Sequence, residues 1–435
     1  MTAVIKRAAS VIGGEAAVRA ANFAAILFIA RAYGKPTLGA YAACLAVVTV
    51  VVMFADNGLQ TAAITQMRSV DSPRNRTLGQ LMVGKTALLS IAVLLLVSIP
   101  AISQRDARYW TIGTWVLLRT VLQSYSQMQM SVLKAISLAN WIAVIQGLHS
   151  CVLLFGIWLC FQNGWGVVAL LAWFAAGQTF ELLFGSAVLF RHGVWPAWPK
   201  HFALLATVKL ATPYGIVYGL ANLIVRLDTI VLAGLVLPGE LGAFSAANAV
   251  FVVIYVCAWL FGSVLLPEMV CLSRQPEQLL RYTNRWAGRT SIVTVPCVIL
   301  FSLLAPRLIA AIYGSTFSSS GILASVMSLA VPLIFLNSIY TTQAIAANDQ
   351  AIYLTVYGGG VVATLVLDLL LGRMFGALGI ATAIVLREAG MLLAFLFFCA
   401  RLSLAQEHSG FCVTSTSDEM VLAPRPGQES RATHV

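Results

Sequence analysis

Charge is what this chain has least of. Of its 435 residues, 10% are Asp, Glu, Lys or Arg, whereas 60% are hydrophobic and the mean hydropathy is +0.88. Soluble domains carry about 25% charged residues and about 45–50% apolar ones. Surface that faces lipid cannot carry charge cheaply, so the deficit and the excess together exclude a water-soluble fold. Acidic residues are the scarcer sign, 16 against 27 Lys and Arg, for a net charge of +11. The basic residues concentrate in short connections between apolar runs, as the positive-inside rule expects of a membrane protein, and no nucleic-acid partner is expected. Chemistry-bearing patterns are missing too. G-x-S-x-G, H-E-x-x-H, a P-loop and an acidic metal cluster are all absent, and the 8 cysteines form neither C-x-x-C nor a Cys/His cluster. We expect no disulfide, no metal site, no cofactor and no enzyme constellation. The Gly run at 358–360 lies inside an apolar segment, where close helix packing or a kink explains it.

What is present is a succession of apolar runs. Crossing a hydrocarbon core takes about 20 residues of helix, and the runs predict an all-α polytopic protein with about twelve spans, at 9–31, 37–62, 78–102, 110–133, 140–161, 165–189, 207–235, 240–268, 287–305, 319–345, 351–371 and 375–400. Glu15, Arg19 and Asn22 interrupt the first run, which rules out a uniform signal-peptide core and leaves it as a retained span. With both termini inside, 15 Lys and Arg fall on the cytoplasmic side (Lys85 among them) and 6 on the other, so cytoplasmic N- and C-termini are expected.

The longest internal break, 190–206, carries two prolines and two tryptophans and divides the spans six and six. A repeat supports the division: TLGAYAACLAV at 37–47 against ELGAFSAANAV at 240–250, offset by 203, where seven of eleven positions are identical or pair Tyr with Phe. An even number of helices per half makes the repeats parallel. The expected organisation is an N-lobe at 1–190, a cytoplasmic linker at 191–206, a C-lobe at 207–401, and a disordered tail at 402–435 of Ser, Thr, Pro and acidic residues.

Polar residues inside spans are the functional candidates, because each must face protein interior or a wet cavity. Glu15, Arg19 and Asn22 share one stripe of the first span; Arg119, Gln123, Ser126 and Gln127 form another in the fourth; Tyr218, Asn222 and Arg226 form a third in the seventh. Three amphipathic spans predict a hydrophilic central cavity. Its expected substrate-binding residues are Arg19, Asn22, Arg119, Gln123, Gln127, Asn222 and Arg226, the arginines offering a planar fork to an anionic substrate. Internal pairing of the same arginines with carboxylates is the competing reading. Glu15, Asp56 and Asp228 are the candidates for ion coupling, and Asp228 points away from Arg226, two residues earlier on the helix.

The run FIARAYGKPTLGAYAACLAVVTVVVMFADNGLQTAAI (28–64) resembles the N-terminal signature of Wzx-type polysaccharide-export flippases, in the multidrug/oligosaccharidyl-lipid/polysaccharide exporter superfamily. Tyr33 stands where those proteins usually carry Leu. The segment 211–248, with its R-x-D-x-x-x-L element, and IYGSTFSSSGILASVMSLAVP (312–332) are similar to later parts of the same family. The resemblance implies two six-helix lobes around a central cavity that opens alternately to either side of the bacterial inner membrane. It implies an undecaprenyl-pyrophosphate-linked oligosaccharide as substrate, for surface polysaccharide or O-antigen biosynthesis, with membrane lipids around it and a polysaccharide polymerase and export machinery as partners. The other readings are a drug/cation antiporter of the same superfamily, which needs acidic residues to dominate the cavity, and a lipid-linked cell-wall precursor flippase, usually of fourteen helices. A membrane polymerase or ligase would need a large outer loop that this chain does not carry.

Overall fold

In the computed structural model, residues 2–56, 58–68, 74–98, 107–198, 204–273, 275–347 and 349–413 are described. Their regular structure is helical, with no strand among them. The helices are α1 (Thr2–Phe28), α2 (Gly34–Asp56), α3 (Leu59–Arg68), α4 (Arg74–Ser98), α5 (Ala107–Ala135), α6 (Ala139–Asn163), α7 (Val167–Arg191), α8 (Leu204–Leu235), α9 (Pro238–Leu272), α10 (Pro276–Tyr313), α11 (Ser318–Ser328), α12 (Val331–Ala346) and α13 (Gln350–Val413). Among the described residues, seven helical stretches are long and apolar enough to cross a membrane, eight if the bent pair α11–α12 is one crossing. Two of them, Gly13–Met67 and Ala351–Phe398, are 55 and 48 residues long and each takes in two of the spans read from sequence. The protein is thus a multi-pass membrane protein. Its exposed side chains say the same, since Leu94, Leu183, Val264, Ile292, Leu303 and Phe397 are all more than half exposed, as residues facing hydrocarbon would be.

Local sequence sets the breaks. A five-residue π-turn, Ile29–Tyr33, joins α1 to α2 and ends on Gly34 at φ 78°. α13 is broken at Gly376, which adopts φ 58° and ψ −134°. The Glu240 carboxylate accepts from the freed Ala377 N–H at 2.8 Å, an acid serving the exposed N–H groups of a new helical arm. The backbone stays helical as far as Val413, inside the segment expected as a tail; residues 414–435 lie outside the described ones.

Two groups of helices emerge. In the first, α1 packs on α6, α5 on α2 and α7, and α6 on α7; in the second, α8 packs on α13, and α10 on both α11 and α12. They meet along α2, which runs against both α8 and α9. At the end of the bundle holding the π-turn, Gly314 and Gly376, which we call the far end, side chains of both groups share one apolar core: Ile29, Leu38 and Phe174 with Phe244, Tyr313 and Ile380. Toward the near end, which holds the start of α1 and the 192–198 linker, the larger apolar clusters separate. Met67, Leu133 and Ile145 pack in one group and Leu265, Met269 and Ile339 in the other. The halves therefore diverge toward the near end except along α8, whose Ala211 packs with Leu59, Leu81 and Met128 of the first group. Helix α1 records the divergence: Ala16, Arg19 and Ala20 are exposed, whereas Phe23, one turn on, meets the Tyr313 ring edge-on at 6.3 Å.

Candidate functional site

The polar stripes of α1 and α5 face each other, as amphipathic spans must when no water surrounds them. Arg119 lies near the middle of α5 and is 8% exposed. Its Nη1 donates to the Tyr41 hydroxyl at 2.5 Å and its Nη2 to Asn22 Oδ1 at 2.7 Å, while the guanidinium sits 4.2 Å above the Phe174 ring. Asn22 is held in turn by its own Nδ2, which donates to the Val18 carbonyl at 2.9 Å. The partners of Arg119 are thus two neutral oxygens and a π face. Hydrogen bonds and a cation–π contact orient the charge without cancelling it.

Further toward the near end, Glu15 lies 4.0 Å from Arg19 and 3.9 Å from Lys134 across the α1–α5 gap, with all three side chains more than a third exposed. Gln127 is exposed and accepts from Gln60 Nε2 at 2.9 Å; Gln123 is half-buried on the same helix. Arg19, Asn22, Arg119, Gln127 and Glu15 therefore lie along one α1–α5 seam. Asn222 and Arg226 are half-buried on α8, in the other group of helices, and the Tyr218 side chain lies outside the described residues.

Asp56 ends α2 and is committed to an ion pair. Its Oδ1 takes the Lys85 ammonium at 2.5 Å and the Ser124 hydroxyl at 2.6 Å, and Lys85 is fully buried. This corrects one reading. Lys85 is an interior residue of α4 and not a loop charge, so the expected bias becomes 14 basic residues against 6. Asp56 supplies the carboxylate that a buried ammonium needs beside it.

The second group holds a denser cluster. Arg387, on the second arm of α13 and 2% exposed, donates to Asp228 Oδ1 at 2.8 Å and lies 3.3 Å from the Glu388 carboxylate. The Tyr255 hydroxyl donates to Glu388 at 2.5 Å and accepts from Arg387 at 3.0 Å; Asn337 donates to Glu388 at 2.8 Å. Asp368 lies beside Asp228 and is 1% exposed. Sequence reasoning chose Asp228 but not Arg387, Asp368 or Glu388 as site residues. The signal was present, for a charge in the apolar run 377–400 is as costly as one in the first span; what was absent was any sign that α8, α9, α12 and α13 bring these side chains together. A smaller set, His149 Nδ1 at 3.3 Å from Glu181 Oε2 with Gln178 donating to the same oxygen at 2.7 Å, is buried between α6 and α7.

The bundle is shared with known transporters. Its backbone is similar to a structure of the lipid II flippase MurJ in an inward closed conformation (TM-score 0.75, 14% identity, 93% of each chain covered). It is also similar to an inward-facing multidrug resistance MATE family transporter of the MOP superfamily (TM-score 0.71, 13% identity, 89% of this chain and 95% of the other). A MOP superfamily transporter from Pyrococcus furiosus, described as having a binding pocket of reverse polarity, aligns at TM-score 0.63 with 14% identity over 92% of this chain and 95% of its own. At these identities the likeness is one of fold. No curated protein matches the chain in sequence. Residues 28–321 do match one described family, a stretch that runs from the π-turn through α10 and takes in Arg119, the linker, α8 and α9 but not Glu15, Arg19 or Asn22. With a helical bundle of the MurJ and MATE type and a sequence match over more than half its length, this chain belongs to the polysaccharide biosynthesis protein family.

Proposed function

We propose that the chain is a flippase that carries an undecaprenyl-pyrophosphate-linked oligosaccharide from the inner to the outer leaflet of the bacterial inner membrane, by alternating access. The observation that carries this reading is Arg119: a buried mid-span guanidinium held by Tyr41, Asn22 and Phe174, with neutral partners only. A charge near the bilayer centre costs about 2.5–3.5 kcal/mol on insertion scales. An anionic ligand repays that cost during transport, and the guanidinium fork suits phosphate oxygens. In this reading Arg19 and Lys134, exposed toward the divergent near end, receive the pyrophosphate first and Arg119 takes it deeper; Arg226 and Asn222 meet it from α8. The near end is cytoplasmic, in keeping with the basic bias of its connections. Of the acidic candidates, Asp228 is the one suited to a coupling proton, because besides Arg387 it faces a second buried carboxylate, Asp368, and two carboxyl groups side by side can hold one proton between them. Glu15 and Asp56 hold cations in place.

The experiment is a gene deletion. Surface polysaccharide should disappear while lipid-linked repeat units accumulate on the inner leaflet and drug tolerance stays unchanged. Normal polysaccharide with raised drug sensitivity would replace this reading with the antiporter.

A further inference from the structure

The two copies of the internal repeat meet each other. Gly39 of α2 and Gly242 of α9 are corresponding positions, 203 residues apart. A Cβ on Gly39 would lie 1.9 Å from the Pro238 carbonyl oxygen, and a Cβ on Gly242 would lie 2.0 Å from the Lys35 carbonyl oxygen. Lys35 and Pro238 are themselves 203 residues apart. The contact is therefore reciprocal: each copy sets its glycine against the backbone that opens the other copy, as in an isologous two-fold interface, here within one chain. Leu38 and Tyr41 flank it on one side, Leu241 and Phe244 on the other, all four buried.

Side-chain fasteners surround the backbone contact. Arg31, in the π-turn, donates through Nε and Nη2 to the Ile312 and Ala311 carbonyls at 2.7 and 2.8 Å, where α10 ends. Lys35 donates to Ser319 at 3.2 Å and sits over the Phe317 ring. Every one of these contacts crosses from the first group of helices to the second, and all lie at the far end.

We propose that the paired glycines are the far-end gate: their backbone contact seals that end when the near end is open, and it must part for the substrate site to face the other side. The proposal rests on the alternating-access element of the reading above and not on its substrate. The physical reason is distance. Two helices that touch through backbone exclude water and ions without a side-chain plug, yet separate without breaking a buried ion pair. A methyl group on either glycine opposes only the sealed state, because the parted helices have room for it. A ligand or substitution that favours one state over the other shifts the population by that difference.

The test is access to a reporter. Ala46, 1% exposed, lies seven residues deeper than Gly39 on the same face of α2. In a Cys-less background, Ala46→Cys is labelled with a membrane-impermeant thiol reagent in right-side-out and in inverted vesicles. Gly39→Ala and Gly242→Ala should each raise the labelling rate on the order of tenfold, both in the same vesicle type, the one that presents the far end. Which vesicle type responds tests the orientation; whether both glycines respond alike tests the gate. Arg31→Ala and Lys35→Ala, which add no bulk, should raise labelling in the same vesicles by a smaller factor, and they keep the test decisive if the glycine variants do not accumulate. Unchanged labelling in all variants at normal abundance, or a rise for one glycine and not its counterpart, would overturn the proposal. Loss of polysaccharide export without a change in labelling would also count against the gate, and would leave the substrate reading standing.

Discussion

Each half of the molecule buries an arginine, and the two are treated in opposite ways. Arg387 lies against Asp228 and Glu388, with Asp368 one contact further, all 5% exposed or less. Arg119 has Tyr41, Asn22 and Phe174. A guanidinium ringed by carboxylates is neutralised by the protein itself and holds helices α8 and α13 together. A guanidinium held only by neutral dipoles keeps its field, oriented and ready for a ligand that brings negative charge. The same residue type thus serves architecture in one half and recognition in the other, and what decides between them is the partner.

Substituting the two arginines should separate these roles. The largest effect belongs to Arg387→Gln. It strands Asp228 and Glu388, and breaking a buried pair costs about 3–5 kcal/mol, a large share of the roughly 5–15 kcal/mol that holds a protein folded. Membrane-inserted protein should fall severalfold and the thermal transition in detergent should drop; normal abundance would contradict the structural role.

Next in size is the buried pair of the first half. Lys85→Met should destabilise by about 2 kcal/mol or more by leaving Asp56 without its cation, and adding Asp56→Asn should restore much of the loss. A thermal double-mutant cycle measures the coupling, and simple additivity would mean that the two groups do not share their charge.

Arg119→Gln should leave abundance within about twofold of the parent, since no carboxylate is left uncompensated and the Gln amide can still hydrogen-bond Asn22 or Tyr41. Export, measured as surface polysaccharide per inserted protein, should fall at least tenfold by the differential cost of losing a charge-assisted contact. Arg119→Lys should recover part of it, keeping the charge without the fork. Full export in Arg119→Gln and Arg226→Gln variants at normal abundance would end the cationic-cavity mechanism.

The smallest effect is expected from Arg19→Gln. Its side chain is 48% exposed and 4.0 Å from Glu15, a pair worth under about 1 kcal/mol once solvent screening is counted. Stability should be unchanged and export should fall only partly, in a salt-dependent way; a loss as deep as that of Arg119→Gln would move the recognition site to the near end.

Much of this was decided by sequence alone. A chain with so few charges and such regular apolar runs must span a bilayer, because backbone groups in lipid are satisfied only within helices or closed barrels. The stripes of α1 and α5 were visible as spacing, since residues three and four apart share a helix face. That Asn22 and Arg119 touch follows from the same need to hide polarity from lipid. Other things required the tertiary structure. Lys85 read as a loop charge because apolar length does not reveal depth, and only the approach of α2 to α4 sets Asp56 against it. Arg387 stood in the sequence beside Glu388, but its neutralisation depends on α8 and α9 delivering Asp228 and Tyr255 from more than 130 residues away. The repeat was legible as a likeness between two segments. That the copies press their glycines on one another was not, because a sequence likeness records common local structure, whereas contact is set by how two helices cross.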